Sequence, residues 1–146
     1  MHHLKTTIEI NASCDVVWSV ITDFAAYPRW NPFVRSIEGG LMVGETLNVS
    51  LQPPKSRGMR FRPVLLTVEP NRELRWKGKL LFTGLFDGEH YFKLQPLQNG
   101  SVAFDQGEEF SGLLVPLFRS SLDGATRQGF IAMNEALKQE AEKRGA

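Results

Sequence analysis

Between Phe33 and Ser111 the chain shows no helical period; short stretches of alternating apolar and polar residues are separated by turn formers instead. Alternation with a period of two is the mark of half-buried strands, so most of the molecule is committed to an antiparallel meander. Val34–Glu38 stops at Gly39-Gly40, and Thr46–Gln52 presents Leu47, Val49 and Leu51 before Pro53-Pro54. Met59–Glu69 runs to Pro70-Asn71 and returns as Glu73–Lys79, with Leu74, Trp76 and Gly78 on one face and Arg75, Lys77 and Lys79 on the other. Pro63 has no N–H for a ladder, so the strand holding it must bulge or leave that edge open. The last hairpin can be registered, because its apolar residues must share a face. Phe92 is set opposite Gln106, Leu94 opposite Phe104 and His90 opposite Glu108, leaving Gln98-Asn99-Gly100 as a loop with Gly100 in the left-handed position.

Helical signals lie outside this region. After a strand over Leu4–Ile10, in which Leu4, Thr6, Ile8 and Ile10 share a face, Ser13 is a good N-cap and Val17, Val20, Ile21 and Phe24 recur at helical spacing. Tyr27-Pro28-Arg29-Trp30-Asn31-Pro32-Phe33 then forces irregular chain. Phe118, Leu122, Ala125, Phe130, Met133, Leu137 and Ala141 describe a long amphipathic C-terminal helix. Gly124 and Gly129 each cost about 1 kcal/mol in a helix interior, so the helix begins near Ser121–Asp123 or passes close to other backbone. In the first case Leu113–Arg119, with Pro116, is an entering loop or a separate turn.

At 146 residues, 42% hydrophobic and 23% charged, the chain fits one domain over residues 1–146 with a core that needs no staple. The single cysteine, Cys14, cannot form an internal bridge, the start Met-His-His-Leu-Lys-Thr lacks an apolar leader, and no apolar run approaches the roughly 20 residues of a membrane span. The expected location is cytoplasmic. A net charge of +1 gives no electrostatic footprint for DNA. His2, His3 and His90 make no metal-ligand spacing, and no phosphate loop or nucleophile elbow is present, so no cofactor or metal is expected. Cys14, in the first turn of a helix with no base nearby, is read as structural.

Strand, short helix, meander and long helix make an α+β order. Ala12-Ser13-Cys14-Asp15-Val16-Val17-Trp18, Tyr27-Pro28-Arg29-Trp30-Asn31-Pro32-Phe33 and Glu108-Glu109-Phe110-Ser111-Gly112 resemble the START-like, Bet v 1-like (SRPBCC) superfamily, in its polyketide cyclase/dehydratase and lipid transport branch. The resemblance implies a helix-grip fold: a seven-stranded curved antiparallel sheet wrapped around the C-terminal helix, with short helices after the first strand. It further implies an apolar cavity between sheet and helix, and a lid formed by Trp30 with Tyr27 and Phe33.

Within that frame, an acid and a base, Glu108 and His90, face one another indoors, with Gln106 beside them, and are the candidates for general acid–base chemistry. Trp76, Phe92, Phe104, Phe110, Phe130 and Met133 supply apolar company, and inward-facing Gly78 and Gly88 leave room. The expected function is binding of a small, mostly apolar ligand of the lipid, quinone, sterol or aromatic polyketide class. Cyclase or dehydratase catalysis by Glu108 and His90 is the alternative. A third reading is a docking face for a protein or membrane surface, made of Arg57, Arg75, Lys77 and Lys79. Arg60 and Arg62 precede or straddle the irregularity at Pro63, so alternation does not decide their face, and Arg62 points inward if no bulge intervenes.

Overall fold

Alternation along the central region becomes two antiparallel sheets in the computed structural model, which describes residues 1–55 and 57–146. The first strand, β1 (His2–Ile10), leads into α1 (Cys14–Thr22). The Ser13 hydroxyl accepts the Val16 N–H at 3.3 Å and caps the helix, whose Val17, Val20 and Ile21 enter the core. A 3-10 turn over Phe24–Ala26 is followed by the one-turn helix α2 (Tyr27–Trp30). The chain at the two prolines is thus helical up to Trp30 rather than irregular. Pro28 sits in the first turn, where its missing N–H has no helical partner to lose.

A smaller sheet is formed by β2 (Val34–Glu38), β3 (Asn48–Leu51) and β4 (Met59–Phe61). The larger one contains β5 (Val64–Glu69), β6 (Glu73–Lys79), β7 (Asp87–Pro96) and β8 (Val102–Ser111), in the order β1-β8-β7-β6-β5. The resemblance implies seven strands in one sheet; the structure has five and three. The difference arises at Pro63. The strand expected over Met59–Glu69 is interrupted at Arg62-Pro63, and its halves fall in different sheets. Yet β3 keeps one register through the break, since Leu51 faces Met59, Val49 faces Phe61 and a bridge joins Thr46 to Val64. Leu47 N–H donates to the Pro63 carbonyl at 2.8 Å, and the two sheets form one curved surface with a seam. The register shift itself lies in β5, between Leu65 and Thr67.

The β7–β8 ladder has the expected register, His90 against Glu108, Phe92 against Gln106 and Leu94 against Phe104. Gly100 takes φ 87° in the connecting loop. Beyond β8 the chain is more helical than the sequence suggests. The helix α3 (Val115–Ser121), with Pro116 in its first turn, occupies most of the expected loop; a π turn over Leu122–Thr126 then leads into α4 (Arg127–Gly145). Gly124 lies in the π turn. Gly129 marks a close approach, to a ring rather than to backbone: a Cβ there would collide with the Phe33 side chain. Across the concave face of the sheet, α4 buries Phe130, Met133, Leu137 and Ala141 completely. Among the described residues no helix is long and apolar enough to cross a membrane.

Candidate functional site

Three neighbouring strands and α4 converge on one histidine. Alternation along β6, β7 and β8 turns Trp76, His90, Phe92, Phe104 and Gln106 to the concave face, all at least 96% buried. His90 Nδ1 lies 2.9 Å from Glu108 Oε1, and Nε2 lies 3.0 Å from Gln106 Oε1. The imidazole is stacked on Trp76 with centroids 5.2 Å apart and planes 17° from parallel, while Phe92 and Phe130 each present an edge contact at 5.0 Å. Phe104 stacks on Phe92 in turn.

Two further residues complete the polar chain. Gln106 Nε2 donates to Asn134 Oδ1 at 2.8 Å and to the Phe130 carbonyl at 3.3 Å. Asn134 Nδ2 donates to Thr6 Oγ1, and the Thr6 hydroxyl donates to the Gln106 carbonyl. Neither residue is singled out by the sequence reading. The signals were present: Thr6 is the polar member of the inward face of β1, and Asn134 lies one helical turn after Phe130 on the buried stripe of α4. Because peptide carbonyls only accept, the chain has a fixed direction, and Gln106 Oε1 is an acceptor toward His90. Nε2 therefore carries a hydrogen. The Nδ1–Oε1 contact then holds one proton, on nitrogen as imidazolium facing carboxylate or on oxygen as neutral imidazole facing carboxylic acid. That is the arrangement from which a proton can be lent and recovered.

Other expected members are placed differently. Phe110 meets Phe86 at 5.7 Å, Met133 is packed in the core, and Trp30 packs on Tyr27 at 5.2 Å rather than on the pair. Gly78 and Gly88 do not leave open space. A Cβ at Gly78 would stand 2.9 Å from the Phe61 ring, and one at Gly88 would strike the Glu108 carboxylate. The concave face is thus filled by side chains at this level, where the resemblance implies a cavity: the Phe61 ring and the Glu108 carboxylate occupy what the glycines free. Grooves of about 290 and 120 Å³ lie on the convex face, the larger lined by Glu69, Arg72, Lys93 and Asp105 among others. Arg60 and Arg62 are both exposed, so Arg62 does not point inward. Arg75 is not a free cation: it bonds Glu73 at 2.9 Å and Glu89 at 2.7 Å and lies over the Tyr91 ring. Burial, reinforced by Asp15, pushes the Cys14 thiol up from its ordinary value, the opposite of a nucleophile's need. Among the described residues no cluster of acidic, histidine or cysteine side chains could hold a metal ion.

The family model for polyketide cyclase / dehydrase and lipid transport proteins matches residues 1–142. The chain belongs to that family. Solved structures agree on the fold of this polyketide cyclase and lipid transport family member. The di-domain aromatase/cyclase StfQ of the steffimycin biosynthetic pathway is 15% identical with a TM-score of 0.76 over 97% of this chain. The chain spans about half, 51%, of the StfQ length. The Zhui aromatase/cyclase from a Streptomyces species is 18% identical with a TM-score of 0.75, covering 98% of this chain and 94% of its own. A START superfamily protein from Mycobacterium smegmatis is 20% identical with a TM-score of 0.65, covering 99% and 97%. Comparison with curated protein sequences gave no significant match.

Proposed function

We propose that this family member binds a small, mostly apolar molecule between the concave face of the sheet and α4, with Trp76, His90 and Glu108 meeting its polar end. The observation that carries this reading is Trp76. Its indole Nε1 is buried with no acceptor among the described residues, while its ring stacks on the imidazole of the acid–base pair. A buried donor left alone costs about 1–3 kcal/mol, and an acceptor on a ligand removes that cost. Gln106 fixes the imidazole, and Phe92, Phe104, Phe130 and Met133 form an apolar surround suited to a lipid, quinone, sterol or aromatic polyketide. The aromatase/cyclase names of two structural relatives support the last of these.

Entry requires movement, since the space is filled. The π turn at Leu122–Thr126 is where the long helix is locally rewound, and such turns are frequent at functional sites. Swinging α3 about it would lift Phe118 from Phe86 and uncover Phe110, whose neighbour Gly88 faces Glu108. Trp30, on the short helix α2, is the expected lid residue of the same site. Native mass spectrometry of protein taken from its own cells without detergent should show a mass excess that organic solvent removes. Trp76→Phe should carry less of it. Protein that shows no added mass, in either form, overturns the reading.

The 2.9 Å contact between His90 and Glu108 favours a second reading, a cyclase or dehydratase that takes a proton beside a carbonyl and returns it elsewhere. Glu108→Gln preserves shape and removes the base. It should abolish turnover while leaving affinity nearly intact; activity surviving both Glu108→Gln and His90→Gln rejects this role.

A further inference from the structure

Apolar side chains protrude at the end of the molecule where the β6–β7 connection meets the start of α3. Leu81, Leu113 and Leu117 are 80%, 80% and 75% exposed, with Phe82 at 58% beside them. The two segments form one surface: Leu113 N–H donates to Gly84 O and Leu114 N–H to Leu85 O, both at 3.0 Å. Leu81 also takes φ 65°, the left-handed region a leucine seldom adopts. A bulky apolar residue is thus held out into water in an unfavourable backbone conformation, a combination that points to a surface contact rather than to folding.

Cations border this surface. Lys79 precedes Leu80, Arg119 follows Phe118, and Arg57, Arg60 and Arg62 flank Phe61, whose ring packs over Gly78. Among the described residues none of the five has an acidic or carbonyl partner, whereas Arg29, Arg35, Arg72, Arg75, Arg127 and Arg144 each have one. Of the acids at this end, Asp123 is held by His2, and Asp87, itself buried, accepts the Gly84 N–H at one carboxylate oxygen while the other has no partner among the described residues.

We propose that this end docks on an anionic phospholipid bilayer, Leu81, Leu113 and Leu117 entering the interface while the unpaired cations meet headgroup phosphates. Protruding loop tips need a partner that yields around them, and a bilayer accepts apolar groups without a matching pocket. Unpaired arginines supply the charge complementarity. The inference does not rest on the interior site.

The test is sedimentation with vesicles of phosphatidylcholine alone and of phosphatidylcholine containing about one-third phosphatidylserine. Binding to the second, weakening with salt, is expected. Leu81→Ser with Leu117→Ser should lower it by at least about tenfold, and each charge removed by Arg60→Gln or Arg62→Gln by about fivefold, with unchanged circular dichroism. Absence of binding to phosphatidylserine vesicles at low salt overturns the proposal, as does full binding by the leucine variant. A concentration-dependent dimer abolished by the same leucine substitutions, without vesicle binding, assigns the surface to a second copy of the chain instead.

Discussion

Asn134 joins α4 to β1 and β8 through two hydrogen bonds of 2.8 Å. Asn134→Leu keeps the bulk but leaves one Gln106 N–H without an acceptor in a fully buried place. It should lower stability by about 1–3 kcal/mol in urea unfolding; a loss below about 0.5 kcal/mol would show that the polar chain is dispensable. The same chain makes a spectroscopic prediction. Long-range proton–nitrogen correlation should find His90 Nε2 bearing hydrogen, and a neutral ring with Nε2 bare would contradict the direction of the Gln106 amide. At Gly129 two effects oppose one another. Alanine is the better helix former by about 1 kcal/mol, but its Cβ meets a Phe33 ring that is itself buried. Overpacking of that kind costs about 1–3 kcal/mol, so Gly129→Ala should be net destabilising. A raised unfolding midpoint would mean that the ring gives way.

Element by element, what the sequence revealed depended on whether one residue's environment decides the outcome. The β7–β8 register was legible because the apolar residues of both strands must share a face, and it placed His90 against Glu108. Gly100 was legible for a similar reason, and Gly100→Ala should cost about 1 kcal/mol by forcing a Cβ into φ 87°; an unchanged unfolding midpoint would show that the loop relaxes. Pro63 was readable as an irregularity, but not as the seam between two sheets, which depends on how far β4 and β5 diverge. Pro116 misled: it suggests a loop, although the first turn of a helix tolerates it equally well. Nothing in Leu122-Asp123-Gly124-Ala125-Thr126 announces a wide turn, and Gly124 gives only permission. The filled interior was illegible for a different reason. Alternation tells which way Gly78 and Gly88 face, but the presence of Phe61 or the Glu108 carboxylate opposite them is a matter of distance.

Over the whole molecule, Glu140 ties α2 to the C-terminal helix. Its hydrogen bond to Arg29 at 3.0 Å, helped by Arg144 and opposed by burial, holds the carboxyl below its ordinary value of 4.5. A depressed native value means that the ionised form favours folding: the contribution is complete above the unfolded-state value and fades as pH falls through the native one. Glu140→Gln should therefore be less stable than the parent at neutral pH, with the gap closing on acidification. A gap that persists unchanged into strong acid would refute the linkage. The sheet also imposes an order in time. The ladder partner of β1 is β8, His2 facing Phe110 and Ile10 facing Val102, and α4 packs over β1 as well. On a ribosome adding roughly 5–20 residues per second, β1 emerges before β8 and waits on the order of ten seconds for its partner strand. Through that interval Leu4, Ile8 and Ile10 have no sheet to join. The native sheet is therefore closed only after β8 has followed, about a hundred residues behind its partner strand.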